Sequence, residues 1–371
     1  MQSKKPYMNK WKRLKISAVI MLKIYTLLSA GFFGLSCNGK AEKASSQAVE
    51  EFHWRETISC PVGFPIDVHD GALILPGGGS VGLYLGTHNG PWGATGRSMS
   101  NGLKPLPKKI DVIWLSYAED AFYEIDTAID YDKILALFKE GYLDSNTKKN
   151  RTYTTIVVGF APGGVVVVWL NGPGKQVEVG RYQGKKTVIP AEEIAKLDNH
   201  EKLLFSPEYR KEIMLNEKIV PKEVREANAG KPIPYGLWDR LRQKHIWKST
   251  YSIADGGQAT NAYFIMQNGE EEQLIDETFE KNIFEERAIP RIMNFGWRAK
   301  NGQHYGGGVV FDDDEIVKAY EKIFKNKPIQ PVELVISVNE QNTGVAATLK
   351  CGEQEISMLK MKVSIFKSSK K

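Results

Sequence analysis

One string of residues occurs twice in this chain, and the repeat limits what it can fold into more than any other feature. Trp54-Arg55-Glu56-Thr57-Ile58-Ser59 returns as Trp247-Lys248-Ser249-Thr250-Tyr251-Ser252. Pro107-Lys108-Lys109-Ile110-Asp111-Val112-Ile113-Trp114 returns as Pro290-Arg291-Ile292-Met293-Asn294-Phe295-Gly296-Trp297, and Asp130-Tyr131-Asp132-Lys133-Ile134 as Asp312-Asp313-Asp314-Glu315-Ile316. The offset is 183 residues at Pro107 and Trp114 and 182 at Ile134. Chance similarity does not hold such a register, so the sequence predicts two copies of one supersecondary plan. Trp54, Trp114, Trp247 and Trp297 are on this reading core residues before they are chemistry.

Periodicity fills in the plan. Residues 110–117 and 121–129 alternate as strands around a Glu119-Asp120 turn. Residues 130–142 carry Ile134, Leu135, Phe138 and Tyr142 at helical spacing. Residues 152–160 and 165–170 are β-rich runs joined by Ala161-Pro162-Gly163-Gly164, and 176–182 makes a further strand. Downstream, residues 293–297 and 308–311 form a hairpin pattern with Asn301-Gly302 at its turn. Ile316, Val317, Tyr320 and Phe324 repeat the helix, and strands follow at 333–338, 344–349 and 356–366. The expected class is α+β: two related halves, 52–184 and 245–371, each an antiparallel sheet with one packed helix. Residues 185–244 read as a helical insert, because Pro190, Pro207 and Pro221 sit where helices open and Gly230 where one closes. Leu237, Trp238 and Leu241 give its last segment an apolar face.

The N-terminus reads as an export address. Lys23 precedes a short apolar run, residues 24–35, which ends in Leu35-Ser36-Cys37. The run suits a signal-peptide core better than a membrane span. Its ending resembles a lipobox, with Gly34 where leucine is usual and Cys37 as the lipidated residue. Residues 1–36 are then a leader, with translation starting at Met1 or Met21, and 37–51 a polar tether. The competing reading is one anchor helix over 16–35, which leaves the cysteine unexplained. Asn38 and Gly39 do not resemble an inner-membrane retention signal, which favours the outer membrane. Of the 50 Lys and Arg, seven lie in the leader, leaving 43 against 44 Asp and Glu. The basic balance belongs to the leader, so nucleic acid is not an implied partner.

Few residues are candidates for chemistry. Gly78-Gly79-Ser80-Val81-Gly82 matches a nucleophile elbow, with His69 or His88 as base and Asp67 or Asp70 as its partner. That motif requires a helix after the serine, and Gly82 and Gly86 start one poorly, which favours a glycine-rich loop. Asp312-Asp313-Asp314-Glu315 suggests calcium, but Asp130 and Asp132 hold the matching place before Ile134, where acids cap a helix start. The histidines show no metal-ligand spacing, and no metal or other cofactor is implied. Trp92, in Asn89-Gly90-Pro91-Trp92-Gly93, is either a contact for glycan or protein on a loop or a plug in the core. Cys60 and Cys351 form either one disulfide or two separate buried thiols.

Ala161-Pro162-Gly163-Gly164-Val165-Val166-Val167-Val168-Trp169-Leu170-Asn171-Gly172-Pro173, followed by Val179-Gly180-Arg181, resembles a family of bacterial lipoproteins known as domain of unknown function 2931. Leu106-Pro107 with Trp114, Pro91-Trp92-Gly93 and Ile233-Pro234-Tyr235-Gly236-Leu237-Trp238 resemble it too, with Pro91 where glycine is expected. The resemblance covers residues 54–247. It implies an envelope lipoprotein and brings no activity or catalytic residues. Three functions stand as expectations. The first is a non-enzymatic binding module for a protein partner, such as a toxin met by an immunity protein, or for a cell-wall component. The others are a serine hydrolase using Ser80 and a glycan binder using Trp92.

Overall fold

The computed structural model describes residues 49–84, 86–144, 147–325 and 330–368; the leader, Cys37 and residues 37–48 of the tether lie outside them. The first span holds β1 Glu51–Ser59, β2 Ile66–Ile74, β3 Ser80–Gly82, β4 Asn101–Pro105, β5 Lys109–Ser116, β6 Ala121–Ala128, α1 Tyr131–Glu140, β7 Tyr142–Asp144 and β8 Lys149–Arg151. It continues with β9 Thr155–Ala161, β10 Val165–Gly172, β11 Lys175–Gln183 and β12 Lys185–Thr187. Helices α2 Ala191–Ile194, α3 Pro207–Leu215, α4 Lys222–Asn228 and α5 Leu237–Arg240 follow. The second span holds β13 Lys244–Ile253, β14 Gln258–Met266, β15 Glu271–Ile275, α6 Glu277–Glu280, β16 Glu285–Ala288, β17 Pro290–Arg298 and β18 His304–Val310. It closes with α7 Asp313–Phe324, β19 Val332–Val338, β20 Val345–Cys351, β21 Gln354–Ser357 and β22 Lys362–Lys367.

The protein is mixed α+β, dominated by strands in several sheets. A ten-stranded sheet runs β22-β18-β17-β14-β15-β11-β10-β9-β1-β4. Two five-stranded sheets run β12-β6-β5-β2-β3 and β16-β13-β19-β20-β21, and β7 pairs with β8. Alternation along the sequence predicts one antiparallel sheet in each half. Instead the strands of each span divide between two sheets, and each span contains a parallel pair, β1 with β9 and β13 with β19. The physical reason lies in burial. Every residue of β9 is buried, because this strand is covered on both faces, and continuous apolar runs of that kind carry no partner information.

Hydrogen-bonded neighbours share a face of a sheet. One row of paired residues crosses the long sheet: Asn101, Arg55, Thr155, Asn171, Gln176, Glu271, Ile265, Ile292, Val310 and Lys362. The residues next to it point the other way and enter the two cores: Trp54, Ile156 and Leu170 the first, Phe264, Met293 and Val309 the second. The first core is closed by Val68, Leu73, Ile110, Val112 and Trp114 of β2 and β5. The second is closed by Trp247, Leu334 and Ile336 of β13 and β19. The two five-stranded sheets therefore lie on one face of the long sheet, and its other face looks outward.

Both longer helices start as their sequences require. Asp130 accepts from the Lys133 amide at 3.0 Å and Asp312 from the Glu315 amide at 2.9 Å. Ile134 and Phe138 of α1 enter the first core, and Ile316, Tyr320 and Ile323 of α7 the second. The segment 191–220 lies on the outward side of β5 and β6, where Leu115 and Phe122 meet Phe205, Tyr209 and Ile213.

Candidate functional site at the seam between the two spans

The two spans join along β11 and β15, through the pairs Lys175 with Glu272 and Gln176 with Glu271. So short a ladder needs reinforcement, and buried side chains supply it. Gln176 donates from Nε2 to the carbonyls of Gly93 at 2.6 Å and Gly269 at 2.5 Å. Trp169 donates from Nε1 to the Asn268 carbonyl at 3.1 Å. Gly93, at φ 79°, lies so close that a Cβ there would sit 2.6 Å from the Gly269 Cα. Only glycine permits this approach of two backbones.

Beside the seam the outward face of the long sheet is covered. Trp92 packs edge-on against Trp169 with ring centroids 4.9 Å apart, and Trp238 of α5 packs edge-on against Phe64 at 5.3 Å. Arg181 pairs with Asp239 of the same helix through two hydrogen bonds, 2.7 and 2.9 Å. The resembling segments around Trp92, Trp169 and Trp238 thus converge on one aromatic cluster, while Leu106 and Trp114 enter the first core. Trp92 is 5% exposed. It lies in one buried cluster with Val157, Val167 and Trp169, the setting of a plug in the core.

Two clefts flank the β10–β11 turn. One, of about 650 Å³, is floored by the polar end of the cross-strand row: Arg55, Asn101, Thr155 and Asn171, with Glu271 from the second span. Thr95 and the Gly172-Pro173-Gly174 turn also line it. Arg55 donates from Nε to Thr155 Oγ1 at 3.2 Å, and among the described residues its two terminal nitrogens have no further partner. Glu271 accepts from Tyr263 Oη at 2.7 Å, and burial pushes its carboxyl above the usual range against the opposing effects of Tyr263 and Arg291. The other cleft, of about 500 Å³, lies against Tyr142, Ile283 and Arg287. There Arg287 is already engaged: it holds Glu272 at 2.6 and 3.2 Å and donates to the carbonyls of Trp247 and Ile283. The first cleft is the one in which an arginine keeps unengaged donors.

The hydrolase candidates are not brought together. Ser80 opens a strand at a sheet edge, not a helix, and pairs with Ile74. His69 lies five residues further along β2, about 16 Å at ~3.3 Å per residue. Its ring packs on Phe205 at 5.2 Å and Phe122 at 5.8 Å, and burial holds its pKa low. The His88 imidazole lies under Gly90 and Gly96 with Nε2 buried and unpartnered; burial first, and Arg97 second, push it down to about 4. Asp67 accepts from Thr87 Oγ1 at 2.9 Å, and Asp70 accepts from Tyr84 Oη.

Three of the four acids at 312–315 act as structural acceptors. Asp312 caps α7, Asp313 accepts from Gln267 Nε2 at 2.7 Å, and Glu315 accepts from the amides of Leu359 and Lys360. Cys60 and Cys351 are free thiols in separate cores, so the disulfide alternative does not hold. Cys60 donates to the His88 carbonyl at 3.2 Å, and burial pushes its thiol up to about 12. Sequence reading passed over Arg55 and Glu271. Arg55 had a signal, since the repeat sets it against Lys248; Glu271 had none, because its place opposite Gln176 is set by the seam.

Residues 38–236 match the family described as "Protein of unknown function (DUF2931)". The chain belongs to this family. No curated protein and no solved structure matches the chain. The DUF2931 match ends at Gly236, ahead of α5, so β13 to β22 lie beyond it. The DUF2931 region thus supplies the Trp92 loop, Trp169 and most of the cleft floor, while Glu271 comes from the span outside it.

Proposed function

We propose that this DUF2931 protein is a lipoprotein of the cell envelope, anchored through Cys37 in the outer membrane, that works by binding and not by catalysis. Its ligand is an envelope protein, with toxin immunity as one concrete form, or a cell-wall component. The observation that carries this reading is the seam cleft. Its polar groups are held on strands, and the Arg55 fork has donors to spare. Ser80, by contrast, faces no base. The leader ending in Leu35-Ser36-Cys37 supports the anchor.

We also infer that the two spans are related copies. The repeat supports this, as does the chain order within two five-strand sets, β3-β2-β5-β6-β12 and β15-β14-β17-β18-β22. The parallel pairs β1 with β9 and β13 with β19 agree with it. On this plan a copy contributes its first type of sheet to the seam and its neighbour the second, and the cleft exists only where they meet.

The test is a cross-linked pull-down of the lipidated protein from its own envelope, run beside Arg55→Gln and Cys37→Ala. One envelope component recovered in stoichiometric amount and lost with Arg55→Gln supports the reading. Failure to recover any component from intact envelope overturns it. Cys37→Ala is expected to abolish lipid labelling and release the chain from the membrane fraction.

A further inference from the structure

We propose that the seam cleft binds a short peptide with both ends free, its terminal carboxylate on Arg55 and its terminal ammonium on Glu271. The proposal rests on the binding reading above and names the ligand class of that same site.

The first argument is a cation with unspent donors. In the repeat, Arg55 and Lys248 hold the same place after tryptophan, each on a strand with a parallel neighbour. Lys248 faces Glu333 across that pairing and forms an ion pair at 3.4 Å. Arg55 faces Thr155, a neutral hydroxyl, at the corresponding pairing. Thr155 takes the Nε hydrogen and leaves the two terminal nitrogens of the guanidinium open to the cleft. Such a fork matches a carboxylate in two parallel hydrogen bonds. Asn101 lies beside it in the row and Asn171 two steps along, past Thr155; both add amide donors, with the Thr154 hydroxyl near the same end.

The second argument is an opposite charge at the other end of the cleft. Glu271 stands four strand steps from Arg55 in the row, with one oxygen held by Tyr263. Arg291 lies near it, but the buried Arg291 Nε makes no hydrogen bond. A partly desolvated carboxylate gains from an ammonium brought to its free oxygen.

Length then selects the ligand. Four strand steps at ~4.8 Å set the two Cα atoms about 19 Å apart; Arg55 reaches one strand inward, to Thr155, while the Glu271 carboxylate is held from the far side by Tyr263. An extended peptide spans ~3.3–3.6 Å per residue, so about three to five residues fit. The nearby tryptophans, Trp92 and Trp169, are buried in their own cluster, and the ring that offers a stacking face to the cleft is the exposed His53 imidazole. A peptide threaded along Thr95 and the Gly172-Pro173-Gly174 turn needs no stacking face.

The experiment is isothermal titration calorimetry on the full lipidated chain in detergent. The probes are all-L tetra-alanine with free ends, the same peptide ending in two D-alanines, and the N-acetyl and C-terminal amide forms of each. The two free peptides separate a processed protein end from a wall peptide as the source, and binding of either supports the site. Acetylation, amidation, Arg55→Gln and Glu271→Gln are each expected to weaken binding at least about tenfold, with Arg55→Lys intermediate and Lys248→Gln without effect. Blocked peptides that bind as well as free ones overturn the proposal, as does no heat from either free peptide at millimolar concentration. A chain that captures an envelope component yet ignores both peptides refutes this ligand class and leaves the binding reading standing. Unchanged melting of Arg55→Gln and Glu271→Gln shows that lost binding is not lost folding.

Discussion

The outward face of β5 and β6 is roofed by helices, whereas over the glycines of β17 and β18 lie side chains of the neighbouring strands, Asn261 and Phe366. The strands are paired alike. Leu115 lies opposite Phe122 in the first sheet, and Arg298 lies opposite His304 in the second. One step along, Ile113 corresponds to Gly296 in the repeat. Leucine, isoleucine and phenylalanine cannot be left in water without cost, about 1.5–3 kcal/mol each when buried, and the segment 191–220 covers them. Arginine, histidine and glycine ask for no helical layer, and over Gly296 lie the polar side chains of Asn261 and Thr260 from β14. A few outward side chains thus decide whether a sheet acquires a third layer, while the inward ones hold a similar core.

Moving one residue across this comparison gives the largest expected effect. Leu115→Arg places the Arg298 side chain type under the helical roof, where it has no partner. It is expected to cost more than about 4 kcal/mol in urea unfolding and to open residues 191–220 to proteolysis. An unchanged cleavage pattern would mean that the roof is held by something other than this face. Next is Trp92→Ala, which empties the aromatic cluster over the long sheet. A loss of about 3–4 kcal/mol marks it as a plug, whereas a loss under about 1 kcal/mol with altered binding would restore it as a contact residue.

The third effect depends on pH. His88 is neutral beneath the covered side, with its pKa lowered to about 4 from 6.5. A lowered folded value means that the unfolded chain takes up the proton first as pH falls. The stabilisation is therefore complete above pH 6.5 and is lost as pH drops toward 4. The difference corresponds to about 3 kcal/mol, at ~1.36 kcal/mol per unit. Stability curves for wild type and His88→Asn should converge across that window and run parallel below it; parallel curves throughout would refute the assignment. The smallest effect is Arg298→Leu. It is expected to change stability by less than about 0.5 kcal/mol but to enlarge the exposed apolar surface near Phe366, so sedimentation should show self-association.

Some of this was legible in the sequence. The helix starts at Asp130 and Asp312, the hairpin at Ala161-Pro162-Gly163-Gly164 and the inward tryptophans Trp114 and Trp297 follow from local rules, which act over a few residues. The division of each span into two sheets was not legible. β1 finds its parallel neighbour β9 about a hundred residues later, and a strand buried on both faces has no alternation to reveal its partner. The Gly-x-Ser-x-Gly string around Ser80 misled for the same reason: the motif is local, but its chemistry requires a helix and a base that only the fold can supply.

The sequence by itself determined which side chains seek burial, where helices begin and that the chain repeats its own pattern, because each rests on short-range sterics, capping and periodicity. Only the tertiary structure decided the cleft. Arg55, Asn171 and Glu271 share a row because β1, β10 and β15 are set side by side in one ten-stranded sheet, and sheet pairing over such distances is fixed by the packing of whole layers.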